Sequence, residues 1–500
     1  MSIAERHPRA IELDILKHEI DTLLPQLGEG KVLGVAYDTA WVARLAPRFP
    51  QAGFDACLEW LRENQHEDGS WGAPLLHYHD RFISTLAAVV ALREAGRDPK
   101  DAQRVKQGEH ALWQIVGRLG RDDSDTVGFP ILSAALAEDA LRLGLDVPLP
   151  PLRFAEPYRK KVNALLNQPA RTWTNSPVVF SLEALRQSIQ RSDSVLAANH
   201  SVGISPAATA GYLLEFEDDK ALGFLKTLLD RDGTGAIPAL SPIDIFENAW
   251  AMLHLSSAGA IDPADPKVIR VLDMLNASYT SGTGVSYSNF FGVQDADDTA
   301  AVYAALRWGG YTPSAAIFEL FEAQDYFYCY HGETNPSTSA QVRLLQALRH
   351  AHDHPARDRW LLKILNYLCQ IDTNGSFWWD KWHASPYYVN SAAISALHEL
   401  DDDLMRARLK WILRTQNPDG GWGYLGESTQ EETAYCLSAL MYVDREIGCV
   451  DPTVLDRAAL FLCNHLHDTH YTALWIGKSL YAPQRVVQAA VLGALYAYSL

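Results

Sequence analysis

The chain repeats a pattern in which a helix-like run leads through a glutamine to a glycine-rich turn and a tryptophan. The three copies are CLEWLRENQHEDGSWG at residues 57–72, NYLCQIDTNGSFWW at 366–379 and LKWILRTQNPDGGWGY at 409–424. The glutamine side chain can satisfy backbone groups at the helix end, while the indole ring covers the turn that follows. Helix pairs of this kind stack side by side, and a closed ring of them forms an α/α barrel.

The rest of the chain also has a helical pattern. Residues 10–26 place apolar side chains at helical spacing before Gly28 and Gly30, which predicts one amphipathic helix. From residue 34 onwards, helical runs alternate with turns rich in Gly, Pro and Asp, and the pattern typical of strands is almost absent. The proline-rich stretch 146–154 is predicted to be a surface loop. We therefore predict an all-α fold with two α/α barrels, because one repeat lies early in the chain and two lie late.

The composition excludes several classes of function. The 500 residues are 48% apolar, which is enough for a large core in two or more domains. A formal net charge of −18 argues against binding to nucleic acid or to an anionic membrane surface. The six cysteines lack CxxC spacing and fit reduced thiols, and the charged N-terminus leads us to expect no secretion signal. No apolar run reaches the length of about 18 residues that a transmembrane segment needs. We therefore expect a cytoplasmic protein without a transmembrane segment.

Three aspartates lie close together before the apolar helical run of VQDADDTAAVYAAL, residues 293–306. Asp295, Asp297 and Asp298 cannot all point the same way on one helical turn, but their charges remain close. Mutual repulsion and poor solvation raise a carboxyl pKa above its usual value of about 3.9, so one of the three can stay neutral near neutral pH. An isolated cluster of this kind is also compatible with an acidic first turn that the helix dipole favours.

The tryptophan repeats together with DADDTA resemble the class II terpene cyclases, which include squalene-hopene cyclases and the diterpene cyclases that make copalyl diphosphate. Further segments are similar to the diterpene branch and follow one another in that family's order. They are AYDTAWVA (36–43), DRFISTLAAVVAL (80–92), VGFP (127–130), SLEAL (181–185), SPAATA (205–210), DIFENAW (244–250), DKWHASPYY (380–388), EETAYC (431–436) and LWIGKSLY (474–481). The resemblance covers about residues 30–490.

The resemblance implies a pair of α/α barrels, called β and γ, with the active cavity between them. In this chain the β domain would comprise residues 1–33 and 236–500, and the inserted γ domain residues 34–235. A squalene-type triterpene cyclase is the nearest alternative, but that group is typically longer and carries an apolar membrane-entry helix that we do not find. The sequence has no DDxxD motif, with which class I terpene synthases ionise the diphosphate. The diphosphate is therefore expected to survive into the product.

The same resemblance implies roles for individual residues. Asp297 would be the acid that protonates the substrate, and Asp295 and Asp298 would tune and orient it. Relatives commonly place an Asn against the acid, and the corresponding stretch 335–345 has Gln341 instead. This longer amide is able to bond the acid; the alternative is an ordinary glutamine in a capped helix. Carbocations need aromatic ring faces rather than bases. The matched motifs offer such rings, some of them also candidates for core packing alone, at Tyr287, Phe291, Trp379, Trp382, Tyr387 and Tyr388.

A diphosphate on so acidic a protein needs cations or a metal ion. Asp122, Asp123 and Asp125 stand where plant relatives carry an acidic motif for Mg²⁺ and diphosphate, although a solvated loop is the alternative. Relatives supply a diphosphate-binding lysine from the region before SLEAL, and WIGK contains one further lysine. The basic candidates, for which a solvated helix face or a structural role is the alternative, are Arg159, Lys160, Lys161, Arg171 and Lys478.

The resemblance thus implies a class II diterpene cyclase that uses Mg²⁺ and converts geranylgeranyl diphosphate into a bicyclic, labdane-related diphosphate. Two alternatives within the enzyme class are cyclisation of farnesyl diphosphate to drimenyl diphosphate and squalene-type cyclisation. The alternative outside it is a non-catalytic α/α-barrel binding protein. A downstream class I terpene synthase is the partner expected in the pathway.

Overall fold

The computed structural model of the protein describes residues 12–151, 153, 155–167, 169–189, 193–279, 282–333, 335–448, 450–468 and 470–500. These residues form the α-helices α1 (Leu13–Leu23), α2 (Ala36–Ala43), α3 (Asp55–Glu63), α4 (Tyr78–Ala95), α5 (Asp101–Val116), α6 (Phe129–Arg142), α7 (Ala155–Leu166), α8 (Pro206–Glu215), α9 (Asp219–Asp232), α10 (Asp244–Ser257), α11 (Pro266–Tyr279), α12 (Ala296–Trp308), α13 (Thr338–Leu348), α14 (Arg357–Ile371), α15 (Tyr387–Leu397), α16 (Asp402–Arg414), α17 (Gln430–Glu446), α18 (Pro452–Asn464) and α19 (Gln484–Ser499). Short 3₁₀ segments lie at Leu24–Gln26, Leu119–Arg121, Ala170–Asn175, Pro177–Ser188, Asp193–Val195 and Ala315–Phe321, and the strands β1 (Trp475–Ile476) and β2 (Leu480–Tyr481) form an antiparallel hairpin.

One closed ring of helices, which we call the large ring, consists of α10, α12, α13, α15, α17 and α19, each in contact with the next. Its helices are mostly buried, and in α12 every residue from Ala296 to Leu306 is buried. The helices outside the ring are amphipathic: α16 buries Leu404 and Ile412, while its charged residues other than Arg408 lie on the more exposed side. A helix that is apolar all round belongs inside, and an amphipathic one covers it. None of the helices that the described residues form is long and apolar enough to cross a bilayer.

A second closed ring, which we call the small ring, consists of α2, α4, α6, the 3₁₀ segment Pro177–Ser188 and α8. Its main core is built from residues between Ala36 and Ile237. The core of the large ring uses residues from both chain ends, with Ile204 as an addition from the small ring. The predicted all-α fold with two α/α barrels is confirmed. The predicted domain bounds, 1–33 plus 236–500 and 34–235, stay a prediction.

The glutamine-tryptophan repeats tie helix ends to the turns that follow. Gln416 Nε2 donates to the carbonyl oxygen of Gly420 (2.8 Å), and Trp422 Nε1 donates to that of Ile412 (2.9 Å). The early copy makes the same two kinds of bond, and the indole of Trp71 is as completely buried as that of Trp422. In both copies the tryptophan, rather than the glutamine, bonds a carbonyl at the helix end, and the glutamine bonds the turn, which corrects the predicted role of the glutamine.

The hairpin of β1 and β2 connects the two rings. Leu480 N donates to Asp80 Oδ1 (2.9 Å) on α4, and Val127 N donates to the carbonyl oxygen of Gly477 (2.8 Å). Both bonds join the late part of the chain to the small ring. The hairpin therefore holds the two rings together on either side of the space between them.

Candidate active site

A largely apolar cavity lies between the two rings, at the N-terminal ends of α10 and α12. The small ring contributes Val127, Pro177 and Phe180 to its wall. The large ring and the hairpin contribute aromatic side chains and the three aspartates: Phe246, Trp250, Tyr287, Phe291, Tyr330, Trp382, Trp475, Tyr481, Asp295, Asp297 and Asp298. The cluster predicted from the sequence therefore faces an aromatic cavity rather than solvent.

Asp295 is the N-cap of α12, and Asp298 is bonded to it. Asp295 Oδ1 accepts a hydrogen bond from Asp298 N (2.7 Å), as aspartates at helix starts commonly do. Burial raises the pKa of Asp295 to about 6. Burial and the charge of Asp295 hold the pKa of Asp298 well above its usual range, and the two side chains share a hydrogen bond. Asp298 therefore keeps its proton, which it shares with Asp295.

Asp297 is buried, and its two carboxyl oxygens have different surroundings. Oδ2 accepts a hydrogen bond from Ser339 Oγ (3.0 Å), whereas Oδ1 has no hydrogen-bond partner among the described residues. Burial raises the pKa of Asp297 to about 7; Arg343 opposes this rise, and Asp380 and Asp295 add to it. A carboxyl with this pKa is partly neutral near neutral pH and can act as a general acid there.

The start of α13 holds Ser339 in place. Ser337 caps the helix by accepting a hydrogen bond from Ala340 N (3.1 Å). Asp380 Oδ1 accepts bonds from Ser337 Oγ and Ser339 N, both at 2.9 Å. Ser339 was not among the predicted site residues, although it lies in the stretch 335–345 that the family resemblance indicated.

The prediction that Gln341 bonds the acid is wrong. Gln341 is fully buried, and its amide pairs with the backbone of Phe327: Oε1 accepts from the backbone nitrogen (3.0 Å) and Nε2 donates to the carbonyl oxygen (2.7 Å). Ser339 and Gln341 are two residues apart on α13, so their side chains leave the helix about 200° apart. Ser339 faces Asp297, and Gln341 holds the segment around Phe327.

Three of the predicted aromatic residues line the cavity, namely Tyr287, Phe291 and Trp382. Tyr287 stacks on Phe246 with ring centres 4.5 Å apart, and its hydroxyl lies 2.7 Å from that of Tyr481. These contacts fix the ring, so that Tyr287 presents a constant face to the cavity.

The remaining three predicted aromatic residues do not line the cavity, which corrects that part of the prediction. Trp379 packs edge-on against Tyr424 (4.9 Å), and Tyr387 stacks on Trp411 (4.5 Å). Tyr388 lies behind the cavity wall. Its hydroxyl accepts a hydrogen bond from Nε1 of Trp250, which is part of that wall (3.2 Å). A matched motif therefore does not tell which side of a helix faces the cavity.

Other aromatic residues of the wall were missed by the sequence analysis. Phe246 and Trp250 lie in DIFENAW, and Trp475 and Tyr481 lie in LWIGKSLY. Their presence in matched motifs was the available signal. Phe180 directly precedes SLEAL and carried no such signal.

Lys478 is not available to bind a diphosphate, so this part of the prediction is wrong. Its Nζ donates to Glu183 Oε1 (2.6 Å) and to Ser205 Oγ (2.5 Å). The side chains of Lys478 and Glu183 are 1% and 0% exposed. Tyr37 donates to the same glutamate oxygen (3.0 Å). Lys478 is thus a buried cation that ties the hairpin to the small ring.

The other basic residues predicted to bind the diphosphate lie on or after α7. Arg159 and Lys160 are exposed, and Lys160 pairs with Glu156 one turn earlier (2.8 Å). The side chains of Lys161 and Arg171 lie outside the described residues. Diphosphate binding by these four residues stays a prediction.

The three aspartates predicted to bind a metal have different surroundings. Asp122 accepts hydrogen bonds from Tyr78 N (3.1 Å) and His79 N (2.8 Å) and thereby caps the start of α4. The ring of His79 lies between Asp122 (Nδ1, 2.7 Å) and Asp125 (Nε2, 2.9 Å). Asp123 and Asp125 are exposed. Since residue 127 lines the cavity, this acidic loop lies at the cavity's edge.

Comparison with known proteins shows similarity over nearly the whole chain. Residues 331–440 match the family described as Squalene-hopene cyclase C-terminal domain. The chain is 34% identical over 493 residues to a type B diterpene cyclase from Mycobacterium tuberculosis, covering 94% of this chain and 96% of that protein. It is 32% identical to ent-copalyl diphosphate synthase from a Streptomyces species, covering 92% and 91% of the two chains. It is 30% identical to (+)-kolavenyl diphosphate synthase from Herpetosiphon aurantiacus, covering 98% of each.

The fold is shared with a solved structure. The ent-copalyl diphosphate synthase from Streptomyces platensis matches with a TM-score of 0.83 at 29% sequence identity, covering 97% of this chain and 100% of that one. The similarity in sequence and in structure thus extends over both rings and the cavity between them. On these grounds the chain belongs to the class II diterpene cyclases, a family of enzymes.

Proposed function

We propose that the protein cyclises geranylgeranyl diphosphate to a bicyclic, labdane-related diphosphate by protonating its terminal double bond. The observation that carries the proposal is Asp297, a buried carboxyl with its pKa raised to about 7 and an unpaired oxygen at the wall of an aromatic cavity. The names of relatives, copalyl and kolavenyl diphosphate synthases, support a product that keeps its diphosphate.

In this reaction Asp297 Oδ1 gives its proton to the alkene, whose π electrons form the new C–H bond and leave a tertiary carbocation. The hydrogen bond from Ser339 stabilises the carboxylate that remains. Two further double bonds attack in turn and close two rings, and the last cation loses a proton to restore a double bond. The aromatic faces of the wall stabilise the positive charge, and the apolar lining keeps out water that would end the cascade early.

We also propose that Mg²⁺ assists by binding the diphosphate at the acidic loop. Carboxylate oxygens are the ligands that Mg²⁺ prefers, and Asp123 and Asp125 offer exposed ones. Asp122 fits this role less well, because each of its two oxygens accepts a backbone hydrogen bond at the start of α4. Asp123 and Asp125 would therefore hold the ion, which would neutralise part of the diphosphate charge.

We further propose that the protein works in the cytoplasm and hands its product to a class I terpene synthase. The free thiols of Cys57, Cys329, Cys369 and Cys436 support a reducing compartment. A retained diphosphate is the group that a class I synthase ionises.

The proposed substrate is tested by offering the protein C15, C20 and C30 polyprenyl substrates with Mg²⁺, treating the products with phosphatase and identifying the alcohols. We expect a bicyclic C20 alcohol from geranylgeranyl diphosphate. Turnover of farnesyl diphosphate alone would replace the proposal by drimenyl diphosphate synthesis. Turnover of squalene alone would overturn the diphosphate substrate.

The rate of cyclisation is expected to fall as the pH rises, because only protonated Asp297 can donate. With the pKa of Asp297 raised to about 7 by burial, the protonated fraction drops through neutral pH. Above that point kcat/KM should fall about tenfold for each pH unit. Rates measured from about pH 5.5 to about pH 9 at a fixed Mg²⁺ concentration check this. A rate that stays level up to about pH 9 would contradict Asp297 as the acid.

Removing the exposed carboxylates of the acidic loop is expected to weaken the dependence on Mg²⁺. The double variant Asp123→Asn/Asp125→Asn should need at least about tenfold more Mg²⁺ for half-maximal rate, a loss of about 1.4 kcal/mol in ion binding. The matched variant Asp122→Asn should instead lower the thermal stability, because it weakens the cap of α4. Initial rates against Mg²⁺ concentration separate the two effects, and an unchanged Mg²⁺ requirement in the double variant would place the ion elsewhere.

A further inference from the structure

A second cavity lies at the C-terminal ends of the helices of the large ring, and none of the three aspartates lines it. It has a volume of about 400 Å³, and its lining includes three arginines and two histidines: Arg343, Arg349, Arg445, His254 and His350. Among the described residues that line it there is no Asp or Glu. The chain as a whole has 61 acidic and 43 basic residues, so a wall with only basic charges is not what its composition leads one to expect.

Helix dipoles account for part of this charge, since cations are favourable near helix C-termini. Arg349 follows the end of α13 and donates to the carbonyl oxygen of His398 (2.7 Å), and Arg445 lies in the last turn of α17. Arg343 is different. It lies in the middle of α13, one and a half turns before the helix ends, where the dipole offers a cation little.

The guanidinium of Arg343 is buried and incompletely bonded. Its carbon Cζ lies 5.2 Å from the ring centre of Trp250 and 5.6 Å from that of Tyr388. One terminal nitrogen donates to Gln346 (3.0 Å), the guanidinium also shares a hydrogen bond with Tyr388, and its charge acts on Asp297. Nε is nevertheless buried without a hydrogen-bond partner among the described residues. Nε2 of His254, in the same wall, is also buried and unpartnered. Burying such groups without partners costs free energy, which a ligand with acceptor oxygens would recover.

We propose that this cavity is a binding site for a phosphate-type oxyanion. Guanidinium groups match the geometry of phosphate oxygens and bind them with paired, charge-assisted hydrogen bonds. The hydroxyls of Ser391, Ser395 and Ser438 line the same wall as further donors. The phosphate group can come from free phosphate or diphosphate, or from a second prenyl diphosphate whose chain lies against the apolar part of the lining.

The present partners of the two outer arginines do not block this role. Arg349 lies 3.7 Å from Glu399, and Arg445 lies 2.9 Å from Glu446, at the rim of the cavity. The glutamate of the first pair and both members of the second are exposed, and exposed ion pairs contribute little. Each guanidinium can therefore turn towards a bound anion at small cost.

The test is calorimetric titration of the Asp297→Asn protein, in which turnover is expected to be slowed about a thousandfold, with inorganic phosphate, inorganic diphosphate and geranylgeranyl diphosphate. We expect an inorganic anion to bind with or without excess geranylgeranyl diphosphate, or geranylgeranyl diphosphate itself to bind twice per chain. The first result identifies a free phosphate as the ligand and the second a prenyl diphosphate. Anion binding that geranylgeranyl diphosphate abolishes, with only one prenyl diphosphate bound per chain, would overturn the proposal.

Variants assign the binding to this cavity. Arg343→Gln is expected to weaken it at least about tenfold, the effect of losing about 1.4 kcal/mol of charge-assisted bonding. Arg349→Gln/Arg445→Gln changes only the outer arginines and should weaken anion binding to a similar extent. This double variant therefore tests whether the anion binds in this cavity even if Arg343→Gln fails to fold. Arg406→Gln, whose side chain is 67% exposed on α16, is the matched control and should bind as before. Equal affinity in the folded double variant and in the control would overturn the assignment.

Discussion

The Asp297→Asn variant is expected to cyclise geranylgeranyl diphosphate about a thousandfold more slowly than the unchanged protein, since general acid catalysis contributes about 10²–10⁴-fold. An amide has nearly the same size as a carboxyl group, but it cannot supply the proton that starts the reaction. Its oxygen can still accept the hydrogen bond of Ser339, so the surroundings of the site should change little. The initial rate of product formation, measured after phosphatase treatment, checks this.

The same variant should fold and should resist unfolding better than the unchanged protein at about pH 8. The pKa of Asp297 is raised to about 7 by burial in the folded protein, whereas in the unfolded chain it is about 3.9. At pH values between these two pKa values, Asp297 is mostly deprotonated in the unfolded chain but mostly protonated in the folded protein. A rising pH therefore destabilises the folded state, and an Asn, which does not titrate, avoids this loss of unfolding free energy. Asp403→Asn, with a side chain 99% exposed, is the matched control for rate and stability. A variant retaining more than about a tenth of the rate would show that another group is the acid.

The Lys478→Met variant is expected to lose about 3–5 kcal/mol of unfolding free energy, because it leaves the carboxylate of Glu183 buried without its cation. The pair joins the hairpin to the small ring, so the loss should appear in the transition that separates or unfolds the rings. Urea-induced unfolding followed by circular dichroism measures it.

The double variant Lys478→Met/Glu183→Gln should recover much of that loss, because no unpaired charge remains. Lys160→Met, at an exposed position on α7, should change the unfolding free energy by less than about 0.5 kcal/mol. The opposite pattern would restore Lys478 as a diphosphate ligand: an unchanged unfolding free energy together with a raised KM for the substrate.

Local patterns in the sequence predicted the helices and the barrels, because they depend on spacing along the chain. Gln416 and Trp422 each bond a carbonyl oxygen within their own repeat, which depends only on residue type and spacing. The second bond of Gln416, to the carbonyl oxygen of Val454 on α18, depends on how the helices pack. The aspartates of DADDTA are likewise neighbours in sequence, and their proximity needs only one helical turn. Their assignment to an acid and its tuners came from family resemblance and stays a prediction.

The residues around the acid were harder to predict, because they come from distant parts of the chain. Ser339 and Gln341 are neighbours on one helix and equally polar, and only the packing of α12 against α13 decides which of them faces Asp297. Lys478 is of a residue type that commonly binds anions, but its actual partner, Glu183, is 295 residues away in the sequence. A basic residue in a matched motif therefore predicted a cation without predicting what that cation binds.

The sequence by itself determined the all-α barrels and the crowded carboxylates, because helix periodicity, turn residues and charge repulsion act between near neighbours. Only the tertiary structure decided that the three aspartates face an aromatic cavity, that Ser339 rather than Gln341 donates a hydrogen bond to Asp297, and that Lys478 pairs with Glu183. Those outcomes depend on how two rings of helices pack against each other. Burial, which sets the pKa of Asp297, exists only once that packing has removed water from the site.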